Sequence, residues 1–159
     1  MLGNLSTHFS KWEFKCPCPK CIRKKVNVSS KLLFKLEMMI MIIDISIEEH
    51  RPMIVNSGNR CEEYNKKIGG FPNSPHIPNP DGEAVDIKVK GMTPIELGLI
   101  AEEVGGLRIG IGKRYIHLDI RPPCPSKFWY YKNGKRIYSA KINNESLIEF
   151  YKKVRGLKM

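Results

Sequence analysis

The sequence lacks the features that mark a secreted, membrane-spanning or fibrous protein. It has no low-complexity segment and no internal repeat. Its first residues, MLGNLSTHFSKWEFK, contain no apolar core of the secretory kind. The most apolar run, 32–47, is interrupted by Lys35, Glu37 and Asp44, so it is too short and too charged to span a bilayer. We therefore expect a single globular domain, 1–159, that is made in a cytoplasm and is not inserted in a membrane.

Acidic residues are scarce relative to basic ones. The chain has 27 Lys and Arg against 16 Asp and Glu, a formal net charge of +11. Such a balance suggests a polyanionic partner, which could be nucleic acid, an acidic cell-wall polymer or anionic lipid. The basic residues are scattered, however, and a solvated basic surface explains them equally well. No basic stripe with interleaved aromatic residues and no known RNA or DNA fingerprint is present, so we expect no specific nucleic-acid partner.

A complete disulfide framework is also absent, because the chain has five cysteines, an odd number. Cys16, Cys18 and Cys21 lie close together in CPCPKC, whereas Cys61 and Cys124 are distant in sequence. The simpler interpretation is a reducing compartment and a structural metal site, with Cys61 or Cys124 as the fourth ligand. Free thiols, or one disulfide with an unpaired cysteine, are the alternatives. No second CxxC pair completes a zinc ribbon.

Apolar periodicity and turn residues predict an α+β domain with a small, mainly antiparallel sheet and flanking helices. Residues 1–28, which contain the cysteine cluster, are predicted to be irregular. Helices are predicted after a Ser29 or Ser30 cap to Ile47, over Cys61–Ile68, from the Thr93-Pro94 start to Val104, and over Asn144–Arg155. Strands are predicted at 53–55, 84–89, 107–111, 115–120, 128–131 and 136–140, the last two flanking the hairpin turn Asn133-Gly134.

Two predicted strands carry polar residues where an apolar core would be expected. In YIHLDIR, 115–121, the odd-numbered residues, including His117 and Asp119, share one face, and the isoleucines and leucine share the other. Asp86 similarly interrupts the apolar strand AVDIKV. Burying such groups is costly unless they line a site. The pattern therefore predicts a polar cleft between these strands.

A third polar residue comes from a constrained loop. The stretch SPHIPNPDGEAVDI, 74–87, places His76 in a segment rich in proline and glycine that leads into Asp86. His76, Asp86 and His117 with an open fourth position form a ligand set typical of catalytic zinc. From the residues alone, a lone histidine on a loop such as His76 is more often an ordinary surface residue than a metal ligand.

Four sequence blocks then occur in a familiar order. They are SGNRCEEYNKKIGG, NSPH, GEAVDI and YIHLDIR, and together they span 57–121. This combination resembles the Hedgehog/D,D-peptidase group of zinc peptidases, particularly the small D-alanyl-D-alanine carboxypeptidase-like and phage endolysin-like members. The likeness extends to the opening HFSKWEFKCPCPKC, so it covers most of the chain.

The resemblance implies three zinc ligands: His76, Asp86 and His117. It also implies that Arg60 binds a substrate carboxylate or the developing oxyanion, a role suited to a fixed, forked charge. A structural ion pair is the alternative for Arg60. Ser74 would hydrogen-bond the substrate beside the metal, and Asn65 with Gly69-Gly70 would shape the backbone under the cleft.

The chain departs from the family pattern in two places. The segment between His76 and Asp86 is longer than usual, and several branches of the group have an acidic general base where Arg114 stands. Arginine cannot accept a proton. Asp119 is our preferred replacement and Glu83 the second candidate. The alternative role for Asp119 is to orient a metal ligand.

These observations predict a monomeric zinc peptidase, a D,D-carboxypeptidase or endopeptidase, that hydrolyses stem or cross-link peptides of peptidoglycan. We expect a phage or prophage lysin that reaches the bacterial cell wall after release by a separate membrane-permeabilising protein. One alternative is a zinc-bearing but inactive cell-wall-binding domain. Another is a nucleic-acid-binding module held together by a cysteine-bound zinc ion, which predicts no site at His76, Asp86 and His117.

Overall fold

The computed structural model describes four segments of the chain: 4–78, 82–121, 128–132 and 135–139. From residue 131 onward only the backbone is described. The predicted turn at Asn133-Gly134, the predicted helix from Asn144 to Arg155 and Cys124 lie outside the described residues.

Helices and strands do not alternate strictly along the described residues. The helices are α1 (Ser30–Ile47), α2 (Glu62–Lys67) and α3 (Pro94–Val104). The strands are β1 (Met53–Ser57), β2 (Ala84–Val89), β3 (Arg108–Ile111), β4 (Ile116–Asp119), β5 (Phe128–Lys132) and β6 (Lys135–Ser139). The predicted α+β class is confirmed, and no boundary of these elements differs from the predicted one by more than two residues.

The two long helices begin at the predicted capping residues. Ser29 has an extended backbone and is the N-cap of α1. Thr93 caps α3: its hydroxyl accepts a hydrogen bond from the Glu96 N–H at 3.3 Å, and the Glu96 carboxylate accepts one from the Thr93 N–H at 2.6 Å. Pro94 occupies the first helical position, where no N–H is needed. These local contacts explain the predicted start of α3, whereas α1 begins at the predicted position although the Ser29 side chain makes no capping hydrogen bond.

The six described strands form one sheet in the order β1-β2-β4-β3-β5-β6. Every neighbouring pair is antiparallel except β3 and β5, which run parallel. In the β2–β4 pair Asp86 lies opposite His117, and in the β3–β4 pair Gly110 lies opposite His117. The register therefore places the polar residues of adjacent strands side by side near the centre of the sheet.

The two faces of the sheet have different chemistry. One face packs against α3, which also contacts α1, and side chains of this face and of both helices form one core, as the predicted strand parity requires. Its fully buried members include Val85, Ile87, Ile116 and Leu118 from the sheet, and Leu32, Leu36, Ile40 and Ile43 from α1. Because side chains alternate along a strand, Asp86, His117 and Asp119 face the opposite side. That side carries the candidate site.

The N-terminal segment is largely irregular, as predicted, but it is anchored. It contains short 3₁₀ turns at Lys11–Phe14 and Pro19–Cys21. The rings of Phe9 and Phe14 are buried, and the Phe14 carbonyl accepts a hydrogen bond from the Asn59 N–H at 2.8 Å. This contact holds the segment against the chain that follows β1.

Among the described residues, no helix combines the length and the apolar character needed to cross a bilayer.

Candidate metal centre and its cleft

The three predicted ligands come together from a loop and two neighbouring strands. Asp86 and His117 are directly opposite in the β2–β4 register. His76 reaches them from the loop after α2, where its carbonyl accepts a hydrogen bond from the Arg60 N–H at 2.8 Å. The Ser74 hydroxyl accepts a bond from the His76 N–H at 3.3 Å, so this turn fixes the backbone of the histidine. The long segment between His76 and Asp86 does not keep the two residues apart.

The ligand atoms of these residues all lie within 4.8 Å of one another. His76 Nε2 is 3.1 Å from His117 Nδ1, and His117 Nδ1 is 2.8 Å from Asp86 Oδ1. His76 Nε2 is 3.3 Å from the same carboxylate oxygen. His76 and Asp86 are buried, and His117 is partly exposed toward the cleft. One nitrogen from each ring and one oxygen therefore converge on a single point.

The hydrogen-bond partners of the outward-facing ring nitrogens assign the tautomers of His76 and His117. His76 Nδ1 lies 2.7 Å from the Gly58 carbonyl oxygen, which can only accept, so this nitrogen carries the proton. His117 Nε2 lies 3.2 Å from Asp119 Oδ2 and donates to that carboxylate. In the neutral tautomers, lone pairs of His76 Nε2, His117 Nδ1 and Asp86 then face one another with no proton between them. Such a donor set fits a bound cation, and two imidazoles with one carboxylate suit zinc.

The same contacts shift the pKa values of the three residues. Burial lowers the pKa of His76 below its usual range. Burial also disfavours the charged form of His117, but hydrogen bonds to Asp119 and Asp86 outweigh it and raise the pKa of this ring. Asp86 is buried too, yet the His117 and His76 rings beside it, which donate to the carboxylate only when they are protonated, hold its pKa well below the usual range. Asp86 is therefore a carboxylate throughout the physiological range.

Asp119 is fully buried behind His117, on the side away from the other two ligands. Its second oxygen accepts a hydrogen bond from the Arg121 N–H at 3.1 Å and lies 3.9 Å from the Arg108 guanidinium. Burial would raise the pKa of Asp119, but the bond from His117 and the two arginines lower it. Both oxygens are engaged, a geometry that favours orientation of His117 over proton abstraction from water.

The second candidate base, Glu83, is not among the residues that line the cleft. It immediately precedes β2, and its backbone carbonyl accepts a hydrogen bond from the Ile120 N–H at 3.1 Å. Arg114, at the position where an acidic base was expected, is exposed and likewise does not line the cleft. Neither residue is therefore placed beside the three ligands.

Arg60 lies at the edge of the ligand cluster. Its Nη2 is 2.6 Å from Asp86 Oδ2, the oxygen that does not face His117 Nδ1, and its Nε donates to the Ser57 hydroxyl at 2.9 Å. The side chain is mostly buried but still lines the cleft. Arg60 therefore both fixes a candidate metal ligand, the ion pair considered from sequence, and presents positive charge beside it.

The cleft has a volume of about 720 Å³. One wall is the loop 69–75, which contains Ser74 and is held by Asn65, whose side-chain amide donates to the Phe71 carbonyl at 2.7 Å. Trp129 also lines the cleft, and its ring lies 5.3 Å from that of His117. A Cβ at Gly110 would lie 2.6 Å from the Trp129 ring, so glycine is needed for the ring to lie there.

Four residues of the site were not singled out from the sequence: Gly58, Arg108, Gly110 and Trp129. Arg108 and Gly110 alternate with isoleucines in the predicted strand next to the one that contains His117. This alternation could have placed both residues on the polar face of the sheet. Gly58 acts through its backbone carbonyl, which leaves no trace in residue type. The position of Trp129 depends on the parallel pairing of β5 with β3, a long-range contact that local patterns do not encode.

The cysteines form a second cluster. The sulfur atoms of Cys16, Cys21 and Cys61 lie within 4.8 Å of one another, and Cys18 is buried nearby. These four cysteines are not joined by disulfides. A third group, His8, Asp44 and His50, lies at the surface, where the rings of His8 and His50 stack at 5.3 Å.

Comparison with known families agrees with the motifs. A family model described as Peptidase M15 matches residues 7–119, which includes the three predicted ligands, Arg60 and Ser74. The resemblance to the Hedgehog/D,D-peptidase group of zinc peptidases is thereby confirmed. No curated protein and no solved structure matches the chain.

Proposed function

Because the chain belongs to the peptidase M15 family, we propose that it is a zinc peptidase that hydrolyses the stem or cross-link peptides of peptidoglycan. The observation that carries this proposal is the convergence of His76 Nε2, Asp86 Oδ1 and His117 Nδ1 within a cleft. Zinc bound by these atoms would activate a water molecule and polarise the substrate carbonyl. Family membership also supports, as a further proposal, the Hedgehog/D,D-peptidase fold.

Three residues around the ligands have supporting roles in the proposed mechanism. Arg60 holds Asp86 and offers a permanent positive charge to a substrate carboxylate or to the developing oxyanion. Ser74 fixes His76 and lies in the cleft wall, where it can hydrogen-bond the peptide. Asp119 holds His117 in the tautomer that leaves Nδ1 free of a proton, so we propose a positioning role for it.

In the described part of the chain, two carboxylates line the cleft, and the contacts that each one makes favour a second candidate function. Asp86 belongs to the ligand cluster and Asp119 is engaged by His117 and Arg121. Neither is available as an unengaged proton acceptor, and position 114 is arginine. This combination favours, as the alternative, a zinc-bearing domain that binds cell-wall peptides without cleaving them.

Digestion of defined muropeptides distinguishes the two functions. The zinc-loaded protein is incubated with a monomer ending in D-Ala-D-Ala and with a cross-linked dimer, and the products are weighed by mass spectrometry. Loss of one alanine from the monomer identifies a carboxypeptidase, and splitting of the dimer an endopeptidase. Binding to isolated walls with every muropeptide intact would instead establish the binding domain and contradict the peptidase.

The net charge of +11 supports a further part of the proposal, the place of action. A basic protein is attracted to an acidic cell wall, and the attraction weakens as salt screens it. We propose a monomeric phage or prophage lysin that acts at the bacterial wall after release by another protein.

Asp119→Asn is expected to weaken zinc binding in the cleft about 10-fold to 100-fold, with a parallel loss of activity at limiting zinc. An amide can turn its NH₂ group toward His117 and thereby favour the tautomer with the proton on the ligand nitrogen. Glu83→Gln, which changes a carboxylate that does not line the cleft, is the control and should leave both properties unchanged. Zinc affinity is measured by competition with a chromophoric chelator. If Asp119→Asn binds zinc with wild-type affinity but no longer cleaves the muropeptide, Asp119 is the general base.

Zinc affinity in the cleft is expected to fall as the pH is lowered through the pKa of His117. Hydrogen bonds to Asp119 and Asp86 raise that pKa, so below it a proton occupies the ring and competes with the metal. The pKa of His76 is lowered and that of Asp86 lies far below, so only one proton is displaced over this range. The affinity should therefore fall about tenfold per pH unit. Chelator competition from pH 8 downward checks the slope, and a pH-independent affinity would contradict it.

A further inference from the structure

The proposed peptidase function does not involve the cysteine cluster. The sulfur atoms of Cys16, Cys21 and Cys61 lie within 4.8 Å of one another, and the Cys18 thiol is within hydrogen-bonding reach of Cys61. Cys18 and Cys21 are 7% and 3% exposed, and none of the four is in a disulfide. Two buried and two partly buried cysteines thus lie close together without a disulfide, an arrangement that suits a shared metal ion.

The backbone around the cluster is arranged to turn the sulfurs toward one point. Proline occupies the first position of the 3₁₀ turn Pro19–Cys21, and the Cys21 N–H donates to the Cys18 carbonyl at 2.8 Å. This tight turn brings two cysteines to the same side of the chain. The Cys61 N–H donates to Cys16 Sγ at 3.3 Å, and the Tyr64 N–H donates to Cys61 Sγ at 3.4 Å. Backbone N–H groups aimed at sulfur stabilise its charged form.

The surroundings of the cluster are basic. A pocket of about 320 Å³ beside it is lined by Cys16, Cys21 and Cys61 together with four basic residues and one acidic residue: Lys15, Lys24, Lys25, Arg60 and Glu62. Zinc with four thiolates carries a net charge of −2, which nearby cations offset. The sequence therefore places positive charge where such a centre would need it.

We propose that Cys16, Cys18, Cys21 and Cys61 bind one structural zinc ion. A tetrahedral site with Zn–S bonds of about 2.3 Å has sulfurs about 3.8 Å apart, so Cys16, Cys21 and Cys61 need only a small contraction, and the Cys18 side chain moves toward them to complete the site. The four thiols lose their protons to solvent as the metal binds. All four positions are then filled by protein, which leaves none for a substrate and makes the site structural.

This site has a direct link to the cleft. Cys61 follows Arg60, whose N–H bonds the His76 carbonyl and whose guanidinium bonds Asp86. On the opposite side, Cys16 is joined through Lys15 to Phe14, whose carbonyl accepts from Asn59. The ion would therefore tie the N-terminal segment to the residue that supports the catalytic ligands. This consequence rests on the proposed function, whereas the existence of the cysteine site does not.

The test is a zinc count on the full chain, carried out by elemental analysis after removal of loosely bound metal. The wild type is expected to contain about two zinc ions per chain, and His117→Ala and Cys18→Ser about one each. Cys124→Ser is the matched control and should retain both. Loss of zinc in Cys124→Ser would overturn the assignment of the four ligands to Cys16, Cys18, Cys21 and Cys61, and one zinc in the wild type with none in His117→Ala would overturn the cysteine site.

Cobalt substitution keeps the test independent of the folding of Cys18→Ser. With cobalt in place of zinc, wild type and His117→Ala should both show intense thiolate-to-cobalt absorption in the near ultraviolet. The absence of that absorption in both proteins would contradict the site. Its persistence in an inactive His117→Ala separates the cysteine site from the cleft. If the wild type shows the absorption but cleaves no muropeptide, the cysteine site stands and the peptidase proposal fails.

Discussion

His117→Ala is expected to abolish muropeptide hydrolysis and to remove about one equivalent of zinc per chain. The ring contributes Nδ1 to the cluster and lies 2.8 Å from Asp86 and 3.1 Å from His76, so its loss leaves two ligand residues where three converge. Two ligands do not retain zinc against a chelator. The measurement combines product masses from a defined muropeptide with elemental analysis of the same preparation.

His50→Ala is the matched control for that substitution. His50 bonds Asp44 at 2.8 Å and stacks on His8, and it does not line the cleft. This variant should hydrolyse muropeptides at the wild-type rate. Wall-degrading activity that survives in His117→Ala, or that is lost equally in His50→Ala, would contradict the assignment of the metal ligands.

Arg60→Ala is expected to lower kcat/KM about 100-fold to 1,000-fold, the range for removal of a charged group that stabilises a developing oxyanion. The substitution also leaves Asp86 Oδ2, which is 2.6 Å from Arg60 Nη2, without its buried partner. Kinetics on the muropeptide that the wild type cleaves, with zinc content measured in parallel, separate the two effects. A loss of rate at full zinc content indicates a direct role toward substrate.

Arg60→Lys is the informative comparison for that experiment. Lysine keeps the charge, but its single ammonium group cannot reproduce a planar fork that bonds both Ser57 and Asp86. We expect Arg60→Lys to retain zinc and recover only part of the lost rate. If the rate of Arg60→Ala falls only in proportion to its zinc content, Arg60 does no more than hold Asp86.

Local patterns predicted much of the fold because the deciding interactions are local. Thr93, Pro94 and Glu96 fix the start of α3 within one turn of helix. Strand parity placed His117 and Asp86 on the polar face, and the antiparallel register then set them opposite each other. The α+β class and the antiparallel character of most of the sheet follow from such patterns. The parallel pairing of β3 with β5 was not predicted, since nothing in either strand alone specifies it.

The sequence did not predict those features of the site that depend on a backbone atom or on a long-range contact. The tautomer of His76 is set by the Gly58 carbonyl, and every residue has a carbonyl. Parity put Asp119 on the ligand face but could not show that its carboxylate lies behind His117, between Arg108 and Arg121. The sequence therefore favoured Asp119 as the general base. The three-dimensional contacts instead favour the alternative role, in which Asp119 orients His117.

The most direct test of the zinc site is an anomalous difference map at the zinc absorption edge, from a crystal of the protein loaded with zinc. A peak is expected in the cleft within bonding distance of His76 Nε2, an Asp86 carboxylate oxygen and His117 Nδ1, with His117 Nε2 still bonded to Asp119. A zinc-loaded crystal with no peak among these three residues, or with the ion on His117 Nε2, would contradict the site as described.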